Sequence, residues 1–189
     1  MTGNEYHFIT TWRVKAALAE VNDIIGNASD LPRWWPSVYL EVKELEHGDE
    51  RGVDKVIALY TKGWLPYTLR WQFRVIESRS PYGFTLEAWG DFVGRGIWTF
   101  EPDDDDVNIT YDWRIRADKP LLRYLSFVMK PIFSANHRWA MQKGLASLQI
   151  ELARRHAQTP DDLARIPAPP PPTFRLMPAA QRPTTAGEA

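Results

Sequence analysis

The chain has 189 residues, 44% of them hydrophobic, with a formal net charge of −1 and no cysteine. That length suits one globular domain with a sizeable core plus an extension. The near-neutral balance supplies no basic excess for nucleic acid or an anionic membrane surface, and the lack of cysteine excludes disulfides, thiolate catalysis and cysteine metal sites. The N-terminal residues lack a basic segment followed by an apolar run, and no apolar run approaches the roughly 18–20 residues of a bilayer span. The longest, Leu121 to Phe133, is broken by Arg123, Lys130 and Pro131. These features lead to the expectation of a cytoplasmic protein without stable membrane insertion. Nine tryptophans are the compositional outlier; each buries roughly 150–250 Å², so the interior must be large and aromatic.

Tyr6 to Val14 sets Phe8, Thr10, Trp12 and Val14 against His7, Ile9, Thr11 and Arg13, which predicts a strand. Lys15 to Ile25 places Ala17, Leu18, Val21, Ile24 and Ile25 at helical spacing and ends at Gly26. Asn27 to Ser29 caps a short second helix, closed by Pro32 and the Arg33-Trp34-Trp35-Pro36 block. Six strands follow without room for crossover helices: Ser37–Leu45, Val53–Thr61, Tyr67–Glu77, Gly83–Asp91, Val93–Glu101 and Val107–Ala117. Their joints carry turn chemistry, and short joints between consecutive strands force antiparallel pairing. Tyr67, Leu69, Trp71, Phe73 and Val75 share one face of the third of these strands. Ile109, Tyr111, Trp113 and Ile115 share one face of the last. One apolar and one polar face is the signature of an antiparallel sheet covered on a single side.

The element long enough to cover it is the predicted helix from Asp118 to His156, one helix or a kinked pair, with Asp118 as N-cap and Pro120 in the first turn. Phe133, His137, Met141, Gly144, Leu145, Leu148 and Leu152 form its buried stripe. Asn136 and His137 put polar groups into that stripe, and Gly144 removes a side chain, the marks of a cavity wall. Gly144 is where helix and sheet are expected to approach most closely. Beyond residue 157, eight prolines fall between Thr159 and Pro183 with no periodicity. Residues 158–189 are therefore expected to form a disordered or polyproline-II tail, either a solvated extension or a docking peptide for a proline-binding module.

The order of elements over residues 6–155, together with Trp34-Trp35-Pro36, the block from Gly90 to Trp98 and the block from Pro131 to Met141, resembles the START / Bet v1-like (SRPBCC) superfamily. The resemblance is to its polyketide cyclase/dehydrase and lipid-transport branch. It implies an α+β helix-grip fold: a curved antiparallel seven-stranded sheet around a long C-terminal helix, with two short helices between strands 1 and 2. It also implies a hydrophobic cavity between sheet and helix. The candidate ligand pocket then comprises Trp34, Trp35, Tyr67, Trp71, Trp98, Tyr111, Trp113, Phe133, Asn136, His137 and Met141.

Other chemistry fares worse. The four histidines, His7, His47, His137 and His156, include no pair at three- or four-residue spacing, so neither a metal nor another cofactor is expected. Asp103–Asp106 lacks the glycine and the distal acid of a calcium loop and predicts a charged hairpin turn. Gly90, Gly94 and Gly96 precede a strand rather than a helix, which fits a hairpin and not a phosphate cradle. Ser134 and His137 share a helix face with no orienting acid. His137 is the one candidate catalytic residue, as an acid or base in the pocket; a satisfied core histidine is the plainer alternative. Two functions follow: binding of a small aromatic, polyketide-like or lipid ligand, or a cyclase/dehydrase-type reaction in the same pocket.

Overall fold

Alternating strands with one apolar face must bury that face, and a single antiparallel sheet covered on one side by helices does so. The computed structural model of the chain describes residues 5–116 and 120–173, with residues 120–129 described by backbone alone. Ala117, the expected cap Asp118 and the tail from residue 174 lie outside the described residues. The strands are β1 (Glu5–Lys15), β2 (Tyr39–Glu46), β3 (Val56–Lys62), β4 (Thr68–Ser78), β5 (Gly83–Gly90), β6 (Val93–Asp103) and β7 (Asp106–Arg116). They form one antiparallel sheet in the order β1-β7-β6-β5-β4-β3-β2. Between β1 and β2 come helix α1 (Leu18–Gly26), a 3₁₀ turn at Ala28–Asp30 and the short helix α2 (Leu31–Trp34). Helix α3 runs unbroken over Pro120–His156 through Pro131. The helix-grip arrangement expected from the sequence is the one found.

The inner face carries the predicted residues. On β4 these are Leu69, Trp71, Phe73 and Val75; on β7 they are Ile109, Tyr111, Trp113 and Ile115, which Val107 joins. Bulges in β2 and β4 bend the sheet around them. The Asp103–Asp106 turn is the charged hairpin expected, with Arg13 paired to Asp103 and Asp106. Boundaries differ locally. α1 starts at Leu18 rather than Lys15 because β1 keeps its pairing with β7 as far as Lys15. Pro32 does not close the second helix but sits in its first turn, where a missing N–H costs nothing.

α3 is not the sole cover of the sheet: α1 packs over β5 and β6 at one end. α2 bridges to α3 through charge. Arg33 donates to both carboxylate oxygens of Glu151 (2.7 and 2.9 Å), and Arg155 donates to the same carboxylate at 3.2 Å. Burial alone would raise the Glu151 carboxyl; the bonds from the two arginines outweigh it and hold it below the usual carboxylate range.

Gly144 corrects an expectation. Its close approach is to α2's end, not to a strand: a Cβ there would overlap Cζ2 of Trp35. The absent side chain therefore marks no void; the indole of Trp35, itself 3% exposed, fills the place. The extension differs as well. Thr159 Oγ1 accepts from Asp162 N at 3.1 Å while Asp162 Oδ2 accepts from Thr159 N, a capping box that starts a fourth helix, α4 (Pro160–Arg165). The proline run then folds back. Arg154 donates to the Pro167 carbonyl (3.4 Å), and Thr173 Oγ1 donates to the Gly63 carbonyl (3.3 Å).

Gly144→Ala should destabilise the fold. The gain in helix propensity is about 1 kcal/mol, whereas overpacking a rigid buried indole costs about 1–3 kcal/mol. Denaturant unfolding should show a net loss for Gly144→Ala, and the loss that Gly144→Ala causes should be smaller when it is introduced into Trp35→Leu than into the natural chain.

Candidate functional site

Between α3 and the inner sheet face lies an apolar cavity of about 180 Å³. α3 contributes Phe133, Asn136, His137, Ala140 and Met141; the sheet contributes Tyr6, Phe8, Leu69, Trp71, Tyr111 and Trp113, with Trp35 and Tyr39 closing the inner end. Register explains this concentration of rings, since Phe8 lies opposite Trp113 in the β1–β7 pair and Gly96 opposite Trp113 in the β6–β7 pair. A Cβ on Gly96 would stand 2.9 Å from the Tyr111 hydroxyl and 3.0 Å from the Trp113 ring, so glycine there is what admits both rings. Tyr111 stacks on Trp98 at 4.1 Å and on Trp113 at 5.5 Å.

The histidine and the phenols of this cavity are held uncharged. His137 stacks on Phe8 at 4.2 Å, and its buried Nε2 has no hydrogen-bond partner. Burial, with the nearby charge of Arg138 adding to it, lowers its pKa to about 4. Burial raises the phenols of Tyr39 and Tyr111, and burial with Tyr6 nearby raises that of Tyr67 to about 12. Tyr6 Oη is also buried without a partner. At neutral pH these groups offer hydrogen bonds rather than charge. Two charged residues line the cavity: Asp91, whose Oδ2 accepts from Arg70 N at 2.9 Å, and Lys62, 4% exposed and pushed below the usual lysine range by burial. Among the described residues no group of three or more His, Asp and Glu is gathered as a metal site requires. Nor is any helix among them long and apolar enough to cross a membrane.

A family model described as "Polyketide cyclase / dehydrase and lipid transport" matches residues 7–153. The chain belongs to this family. Solved structures share its fold. The ZhuI aromatase/cyclase from Streptomyces sp. R1128 aligns with a TM-score of 0.66 at 16% identity, over 82% of this chain and 97% of that one. TTHA0849 from Thermus thermophilus aligns with a TM-score of 0.63 at 11% identity, over 80% and 100%. The di-domain ARO/CYC BexL of the BE-7585A biosynthetic pathway aligns at 0.62 and 13%, over 83% of this chain and 52% of that one. None of the curated proteins matches.

Within this family member, the sequence-predicted residues divide between two places. Trp35, Tyr67, Trp71, Tyr111, Trp113, Phe133, Asn136, His137 and Met141 line the cavity beneath α3. Trp34 and Trp98 do not; they line a second cavity on the far side of Trp35, Trp71 and Tyr111. Asn136 has a further task, since its Oδ1 accepts from the backbone N–H of Trp64 (2.9 Å) and ties the β3–β4 loop to α3. Ser134 donates to the carbonyl of Lys130 at 2.9 Å, four residues back on its own helix, and is not poised as a nucleophile. Tyr6, Tyr39, Lys62 and Phe92 belong to the cavity and were not predicted to. Strand alternation puts Lys62 on the outer face, and Phe92 sits in a turn where no alternation applies.

His137 makes stability pH-dependent. The unfolded chain takes up this proton near 6.5, the folded chain near 4, so stability is full above about 6.5 and falls as pH drops towards about 4, by on the order of 3 kcal/mol. Denaturant midpoints measured across this window should fall less steeply in His137→Gln than in the natural chain.

Proposed function

We propose that residues 1–157 are a binding domain for a small, uncharged hydrophobic ligand of aromatic, polyketide-like or lipid character. The observation that carries this is the cavity beneath α3: its walls are mainly rings and aliphatic side chains, His137, Tyr6, Tyr39 and Tyr111 are uncharged hydrogen-bonding groups, and the charged residues are confined to Lys62 and Asp91. Apolar walls with a few directed polar groups are what a hydrophobic ligand with a carbonyl or hydroxyl requires. The family description, which couples cyclases with lipid transport, supports the same reading.

One observation favours a second reading, a cyclase/dehydrase-type enzyme in the same pocket. His137 lines the cavity, and its buried Nε2 is not committed to any protein hydrogen bond. Against it, a histidine with a pKa of about 4 is a weak base at neutral pH. The aromatase/cyclase neighbours share the fold at low identity and do not decide between the two.

Calorimetric titration with 4-propylphenol tests the binding reading. Ala140→Trp, which fills the cavity from α3, should weaken binding at least about ten-fold, or 1.4 kcal/mol. His137→Ala should weaken it less while preserving the fold. Unchanged binding in Ala140→Trp would remove the cavity from consideration. Turnover of a poly-carbonyl substrate that disappears in His137→Ala would favour the enzyme.

A further inference from the structure

The interior is not one pocket. Behind the cavity beneath α3 lies a second of about 490 Å³ that opens at the other end of the molecule, between α1 and the turns joining β2–β3 and β4–β5. The two share four wall residues, Trp35, Tyr39, Trp71 and Tyr111, a partition of rings with a compartment on each side. The partition is braced: Trp35 meets Tyr39 edge-on at 5.2 Å, and Trp71 Nε1 donates to Thr61 Oγ1 at 3.0 Å. A cavity of roughly 150 Å³ accommodates benzene, so the compartment of about 180 Å³ takes one ring and little more. A longer ligand either projects from the mouth beneath α3 or displaces the rings of the partition to reach the compartment behind.

Two features define what the second compartment accepts. The indole N–H groups of Trp34 and Trp35 are buried, at 1% and 3% exposure, and neither has an acceptor; both residues line this compartment. A buried donor without an acceptor costs about 1–3 kcal/mol, which a ligand carbonyl, ether or hydroxyl oxygen would offset once a small shift of the indoles uncovers these N–H groups. Three of the four charged residues at the rim are paired; the exception is Glu50, an exposed carboxylate. Lys55 is paired with Glu44 (3.4 Å), Arg51 with Asp49 (3.8 Å) and Asp23 with Arg155. Asn22 and Ser80 bond to each other there at 3.1 Å, as neutral hydrogen-bonding groups. Glu50 at that mouth disfavours an anionic head, and the buried indole donors call for an acceptor oxygen rather than a cation.

We infer that the compartment between α1 and the β2–β3 and β4–β5 turns is a second binding subsite, taking the uncharged, oxygen-bearing end of an elongated ligand whose apolar ring sits beneath α3. This rests on the cavity reading above and adds to it the length and polarity of the ligand. Both mouths then belong to one molecule, apolar at the α3 end and neutral polar at the α1 end.

Gly26 gives the test. It lines the second compartment, has open space where a Cβ would be added, and does not adopt a left-handed conformation, so Gly26→Trp plugs that compartment without strain. Two probes are titrated calorimetrically: 4-propylphenol, and its ether with triethylene glycol. The longer probe should bind the natural chain about ten-fold more tightly. Gly26→Trp should erase that advantage and leave 4-propylphenol within about two-fold, and Ala140→Trp should weaken both. Gly26→Phe serves if the larger ring lowers the unfolding midpoint. An advantage that survives in Gly26→Trp and Gly26→Phe, or that the natural chain never shows, would overturn the second subsite while leaving the cavity beneath α3 intact. A carboxylate-ended probe that binds more tightly than the glycol ether would overturn its neutrality. If Ala140→Trp weakens neither probe, the cavity reading itself fails.

Discussion

The contact between Trp35 and Gly144 sets the dimensions of the interior. A rigid indole laid where α3 has no Cβ fixes how far the helix stands from the sheet, and the same indole then meets Trp12, Trp34 and Tyr39. Glu151, two turns further along α3, secures that spacing through Arg33 and Arg155. With the C-terminal half of α3 held this way, the segment from Phe133 to Met141 touches the sheet at separate points, His137 on Phe8 and Phe133 on Tyr6, and leaves the cavity between them. Close packing at one end of the helix and space further back are consequences of one arrangement.

Electrostatics follow from the same geometry. Rings crowding His137, Tyr39 and Tyr111 remove water, and without water the charged forms of these groups are penalised. Charges gather instead at the rims and across helix junctions, where carboxylates meet guanidinium or ammonium groups. The exceptions are Lys62 and Asp91, which line the cavity beneath α3.

Much of this was legible in the sequence because strand periodicity is local. The alternation of Leu69, Trp71, Phe73 and Val75, and of Ile109, Tyr111, Trp113 and Ile115, is enough to place them inside. The stripe on α3 likewise puts His137 and Met141 in the cavity wall. What stayed hidden depended on partners distant in the chain. The polarity of Asn136 is visible, but not that it is engaged by the backbone of Trp64, 72 residues away. Gly144 signals a close approach without naming Trp35. Lys62 violates the alternation that would have pointed it outward, and no residue pattern announces that Trp35, Tyr39, Trp71 and Tyr111 divide the interior in two. The Thr159–Asp162 capping box, by contrast, was local and readable beneath the proline-rich composition that obscured it.

The nine tryptophans provide the most direct test of the central claim, that an uncharged hydrophobic ligand enters between α3 and the sheet. Each indole N–H gives its own resonance in a proton–nitrogen correlation spectrum, assignable by single substitutions. Titration with 4-propylphenol should shift the signals of Trp35, Trp71 and Trp113, which line the cavity, and leave that of Trp89, exposed beyond it, in place. Shifts at Trp89 with none at Trp35, Trp71 and Trp113 would contradict the account.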